Sequence, residues 1–156
     1  MSLQAGNNRN KGRIVAIDYG TKRTGIAVTD PWQLIATPLT TVASDGTIAF
    51  LIKYVQEERI ATFVVGLPKH LDNRTTPMTA IVKGFIQKLK KAFPHQNIWS
   101  YDEKFTSKIA LHGLITGGFK KKSRLNKGNI DKMSATILLQ SFLNKQKIGE
   151  NQSNIV

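Results

Sequence analysis

The stretch IATFVVGLP, residues 60–68, carries β-branched and aromatic side chains at consecutive positions and no charge. A strand with one solvated face would alternate apolar and polar residues. This one suits burial on both faces, which requires packed layers above and below it. The chain is therefore expected to build a central sheet covered by helices on both sides.

The flanking sequence supplies the other layers. RIVAID (13–18) and TGIAVTD (24–30) are apolar runs joined by YGTKR, and LIATPLTTV (34–42) follows after PWQ. Connections this short predict hairpins. SDGTIAFLIKYVQEER (44–59) repeats Ile48, Leu51, Ile52 and Val55 at helical spacing, with Ser44 or Asp45 placed to cap. TTPMTAIVKGFIQKLKKAF (75–93) sets Met78, Ile81, Val82, Phe85, Leu89 and Phe93 on one stripe and lysines outside it. NIWSYDE (97–103) reads as a further strand. A helix from Thr106 to Ile115, capped by Thr106, is expected next. A glycine- and lysine-rich loop over 116–129 and a last helix over 130–146 complete the chain. The order βββαβαβαα predicts an α/β fold: a mixed five-stranded sheet, antiparallel hairpin strands first and parallel strands after, with helices on both faces.

A chain of 156 residues favours one domain, expected over 12–145. Residues 1–11 are polar and rich in Gly and Asn, and are expected to be a disordered leader; 146–156 are expected to fray. Cysteine is absent, which excludes disulfides and thiolate metal sites and suits a reducing cytoplasm. No apolar run approaches the roughly 18 residues of a membrane span, and the N-terminus lacks an apolar signal core.

Charge narrows the partner. Twenty-three Lys and Arg against ten Asp and Glu give +13, which favours nucleic acid or another polyanion. Against that background Asp18 is conspicuous, because it ends a strand of Ile14, Val15, Ala16 and Ile17. A turn acid capping Gly20 or Thr21 is one reading. The other acids favour a second reading. Glu103 also closes a strand, and ligand sites in open sheets lie at such ends. Asp131 opens the last helix, where the dipole alone already favours an acid. Three carboxylates at one edge repel one another unless a cation lies between them, and oxygen ligands select Mg²⁺ or Mn²⁺. Such a site suits in-line displacement at a phosphodiester. Asp102, beside Glu103, is expected to alternate to the opposite side.

AIDYGTKRTGIAVTDP, VVGLP, DEKFTS and NKGNIDKMSATILLQ, in that order, resemble the YqgF/RuvX family from about Gly12 to Leu143. Its members are described as pre-16S ribosomal RNA nucleases and, earlier, as Holliday junction resolvases. The resemblance implies a ribonuclease-H-like fold and a hydrolase acting on phosphodiester bonds, with Asp18, Glu103 and Asp131 as catalytic and metal-binding acids. It implies structured RNA, within pre-ribosomal particles, as substrate, with branched DNA as the alternative. The protein would act as a monomer or homodimer. The family's G-x-K-R-x-G hairpin falls on Gly20, Lys22, Arg23 and Gly25, whose two cations would meet a phosphate.

Three positions depart from the family pattern. Lys104 replaces an Arg, so a two-point contact becomes a point charge. Asn73 replaces a Gly after Asp72, and Asn tolerates the left-handed backbone. The VVGLP strand ends without an acid, which leaves the number of metals open. Lys120, Lys121, Lys122 and Arg124 precede Asp131 and would bind the substrate backbone; a solvated charge run is the alternative. Trp32 and Trp99 are expected to pack. Two rival functions remain: a non-catalytic RNA-binding or ribosome-assembly factor, and an actin-like nucleotide-binding domain, for which one domain is too short.

Overall fold

A computed structural model describes residues 9–70, 72–104 and 127–153. The expected helix from Thr106, the loop carrying Lys120, Lys121, Lys122 and Arg124, and the first eight residues of the leader lie outside them.

The strands are β1 (Arg13–Tyr19), β2 (Arg23–Thr29), β3 (Ala36–Ala43), β4 (Ile60–Lys69) and β5 (Asn97–Lys104). They form one five-stranded sheet in the order β3-β2-β1-β4-β5. β1 pairs antiparallel with β2 and β2 with β3, whereas β1 with β4 and β4 with β5 are parallel. β1, the middle strand, and β4 beside it have the most continuous apolar sequences, and β3, at an edge, tolerates Pro38.

The described helices are α1 (Thr47–Glu57), α2 (Pro77–Ala92) and α3 (Lys127–Ser153). One core layer joins Val15, Ile17, Ile26, Phe63 and Val65 of the sheet to Leu51 of α1 and to Val82, Phe85, Ile86 and Leu89 of α2. The other joins Ile14, Ala16, Ala27 and Val64 to Ala135, Leu138, Leu139, Phe142 and Leu143 of α3. Alternate residues of one strand thus feed opposite layers, as the period of two requires.

Several expectations are corrected. Ser44 and Asp45 do not cap α1; they lie in a 3-10 turn, and Gly46 precedes the helix without a side-chain cap. Ile52 and Ile81 are exposed rather than buried, because each lies one helical step off the centre of its stripe; Ile86 takes the buried place on α2. Trp32 and Trp99 do not pack inside: they are 44% and 58% exposed, on a loop and on an edge strand. The last helix begins three residues earlier than expected and runs on to Ser153. Its polar end, rich in Lys, Gln and Glu, holds good helix formers and no proline.

Two loops take the forms their residues favour. Asn73 adopts φ +68 in the turn after β4, where Asp72 Oδ1 accepts from the Arg74 amide. Asp30 organises the β2–β3 connection: its carboxylate accepts from the amides of Trp32, Leu34 and Ile35. Burial pushes the Asp30 carboxyl up, but the backbone hydrogen bonds, those from Ile35, Leu34 and Trp32 foremost, together outweigh it and hold it below the usual carboxylate value. The leader is tied at its end, since Lys11 N–H donates to Pro31 O and Arg59 donates to Asn10 O.

Candidate active site

Asp18 is placed by alternation. Ile14 and Ala16 face α3, and Val15 and Ile17 face the opposite layer. Tyr19 continues the second row and stacks on Phe85 of α2, ring centroids 4.2 Å apart. Asp18, between Ile17 and Tyr19, therefore lies on the α3 side, half-buried. Its cross-strand partner on β2 is Gly25.

Gly25 is where the last helix reaches the sheet. A Cβ added there would overlap the backbone carbonyl oxygen of Asp131. Ala16 and Ala27 are also small, so α3 lies low over β1 and β2 and lowest near its own N-terminal end. Directly opposed residues of an antiparallel pair have Cβ atoms about 5 Å apart. Asp18 and Asp131, distant in sequence, are thus brought to one corner of the sheet.

Asp131 is half-buried, and its Oδ2 accepts a hydrogen bond from Arg23 Nε at 3.0 Å. Arg23 is the first residue of β2, at the end of the tight turn through Gly20. That turn is fastened by Ser44. The Ser44 hydroxyl lies 2.6 Å from Gly20 O and 3.0 Å from Thr24 Oγ1, and its amide donates to Lys22 O. A Cβ at Gly20 would overlap the Arg23 carbonyl, so the turn needs glycine for its closeness.

The third acid enters through strand register. Ile17 pairs with Val65 on β4, and Gly66 and Pro68 pair with Tyr101 and Glu103 on β5. Tyr101 packs against Phe142 of α3. The position of Glu103 is two residues further along the same alternate row, toward the C-terminal end of the parallel strands, where β1 carries Asp18. Register and spacing put the Cα atoms of Asp18 and Glu103 about 12 Å apart. The side chains of Glu103 and Lys104 lie outside the described set. Asp102 behaves as expected: it is paired with Leu67, which faces α1 and α2, and it accepts from Lys69 Nζ at 3.2 Å.

Lys22 is exposed at the hairpin tip, but Arg23 is drawn inward to Asp131. Among the described residues no three His, Cys, Asp or Glu side chains form a cluster able to hold a metal ion. Asp18 and Asp131, two of the three expected acids, offer hard oxygen donors on one side of the sheet, which fits Mg²⁺ or Mn²⁺. Sequence reasoning missed the parts of Gly25 and Ser44. A glycine inside an apolar strand was the available signal for the first, since it often marks a close backbone approach. Ser44 had no signal, because helix capping explained it equally well.

Residues 12–145 match the RuvX family, described as Holliday junction resolvase. A protein of Amoebophilus asiaticus named "Putative pre-16S rRNA nuclease" is 54% identical over 136 residues, covering 87% of this chain and 96% of its own. One of the same name from Flavobacterium psychrophilum is 47% identical over 134 residues, covering 86% and 98%. Among solved structures, T. thermophilus RuvC in complex with Holliday junction substrate superposes with a TM-score of 0.52 at 17% identity, covering 86% of this chain and 95% of that one. That likeness bears on the fold, which is ribonuclease-H-like as expected.

Proposed function

This chain belongs to the RuvX family, and we propose that it is an endonuclease that hydrolyses phosphodiester bonds at the 5′ end of pre-16S ribosomal RNA. What supports the reading is that the Asp131 backbone lies against Gly25, the cross-strand partner of Asp18. Two carboxylates so placed in a chain of charge +13 are poorly explained by packing.

Asp18, Glu103 and Asp131 would hold Mg²⁺ or Mn²⁺, whose charge polarises the phosphodiester and stabilises the displacement. The protein's own contribution is geometric. Asp18 is fixed because Tyr19 is stacked on Phe85 behind it. Asp131 is fixed by the helix seated on Gly25. Lys22, Arg23, Lys104, Lys120, Lys121, Lys122 and Arg124 would grip the phosphate backbone, positioning the substrate without reading its sequence.

Branched DNA is the second reading, favoured by the RuvX description and by the fold likeness to a junction-bound RuvC. A cleavage assay on precursor ribosomal RNA and on a four-way DNA junction, with and without Mn²⁺, separates the two. Metal-dependent cutting of the RNA alone supports the proposal. Cutting of the junction alone replaces the substrate, and no cutting of either leaves a binding factor.

A further inference from the structure

We propose that Arg23 is a displaceable counter-ion of the acidic corner, holding Asp131 in the metal-free protein and releasing it when a divalent cation binds. The inference rests on the carboxylate reading above and goes beyond it, because it gives one residue two successive partners. Arg23 reaches Asp131 through Nε at 3.0 Å, a single N–H rather than the two-point fork that makes Arg–carboxylate pairs strong. The side chains are 40% and 26% exposed, so water screens the pair and it breaks readily.

The base of the arm does not move with it. Ser44 fastens the turn before Arg23 at Gly20 and Lys22 and reaches Thr24 just after it. Thr24 is itself buried. The guanidinium therefore swings from an anchored backbone. Turned inward it neutralises Asp131, and turned outward it stands beside Lys22 at the exposed hairpin tip, where a substrate phosphate would meet both cations. The arrangement limits repulsion between the carboxylates before a cation binds and supplies an anion contact afterwards.

Mn²⁺ titration by calorimetry tests this without reference to cleavage. Arg23→Gln is expected to bind Mn²⁺ about ten-fold tighter than the unsubstituted protein, because a competing positive charge is gone. Arg23→Lys, which keeps the charge, is expected to fall between the two and serves as the reading should the Gln variant fail to fold. RNA affinity of Arg23→Gln is expected to fall at the same time. A merely structural arginine would give the opposite sign, since a loosened corner binds metal more weakly. Equal or weaker Mn²⁺ affinity in the folded variants overturns the proposal. Asp18→Asn is the control: if it loses Mn²⁺ while the Arg23 variants do not gain, only the counter-ion role fails. If Asp18→Asn binds Mn²⁺ as before, or the unsubstituted protein binds none, the carboxylate reading fails with it.

Discussion

Gly25 and Asp131 touch backbone to backbone, with no room for a Cβ between strand and helix. Gly25→Ala must therefore lift the N-terminal part of α3 or shift β2. Overpacking of this kind costs about 1–3 kcal/mol, and it moves Asp131 away from Asp18. We expect a lower urea midpoint and a larger loss of cleavage than the loss of stability accounts for. Both are read by denaturation and by cleavage assay on the same preparation.

Asp18→Asn is expected to abolish Mn²⁺- or Mg²⁺-dependent cleavage while RNA binding stays equal or becomes tighter, because a charge that repels phosphate is removed. Gel-shift and cleavage assays on one purified sample check both halves. Undiminished cleavage, with contaminating nuclease excluded, contradicts the assignment.

Asp102 and Glu103 are adjacent in sequence but on alternate rows of β5. Glu103→Gln should remove cleavage. Asp102→Asn should leave it intact, since Asp102 serves an exposed pair with Lys69 worth at most about 1 kcal/mol. Equal loss in both variants would mean that row position does not decide the role.

Replacing Lys120, Lys121 and Lys122 with Ala should lower the slope of log affinity for RNA against log salt by about 2, if each lysine meets one phosphate. An unchanged slope assigns the loop to solvent.

Asp30 makes stability depend on acid. Its carboxyl lies below the ordinary value, so the ionised form is the one the fold favours. That stabilisation is complete above the unfolded carboxyl value, near 3.9, and is lost as pH falls through the lower folded value. Asp30→Ala should cost about 1 kcal/mol at neutral pH, as loss of a capping carboxylate does. The gap between variant and parent should narrow below about pH 4. Thermal melts at pH 7 and pH 3 measure it.

Local pattern carried much of this protein. The unbroken apolar run ending in VVGLP required two covering layers, and the order of runs gave a mixed sheet. The period of two put Asp18 and Glu103 in rows opposite to Tyr19 and Asp102, and the turn residue Asn73 took the left-handed backbone its chemistry allows. Those features depend on neighbours a few residues away, so the sequence displays them directly. It did not display that Ser44 ties down a hairpin 24 residues earlier, or that Arg23 meets an acid 108 residues later. Nor did it reveal that the empty volume of Gly25 is filled by a helix carbonyl. Such contacts depend on how closely one packed layer settles on another. That distance is set by all the side chains between the layers at once, and so only the assembled fold decides it.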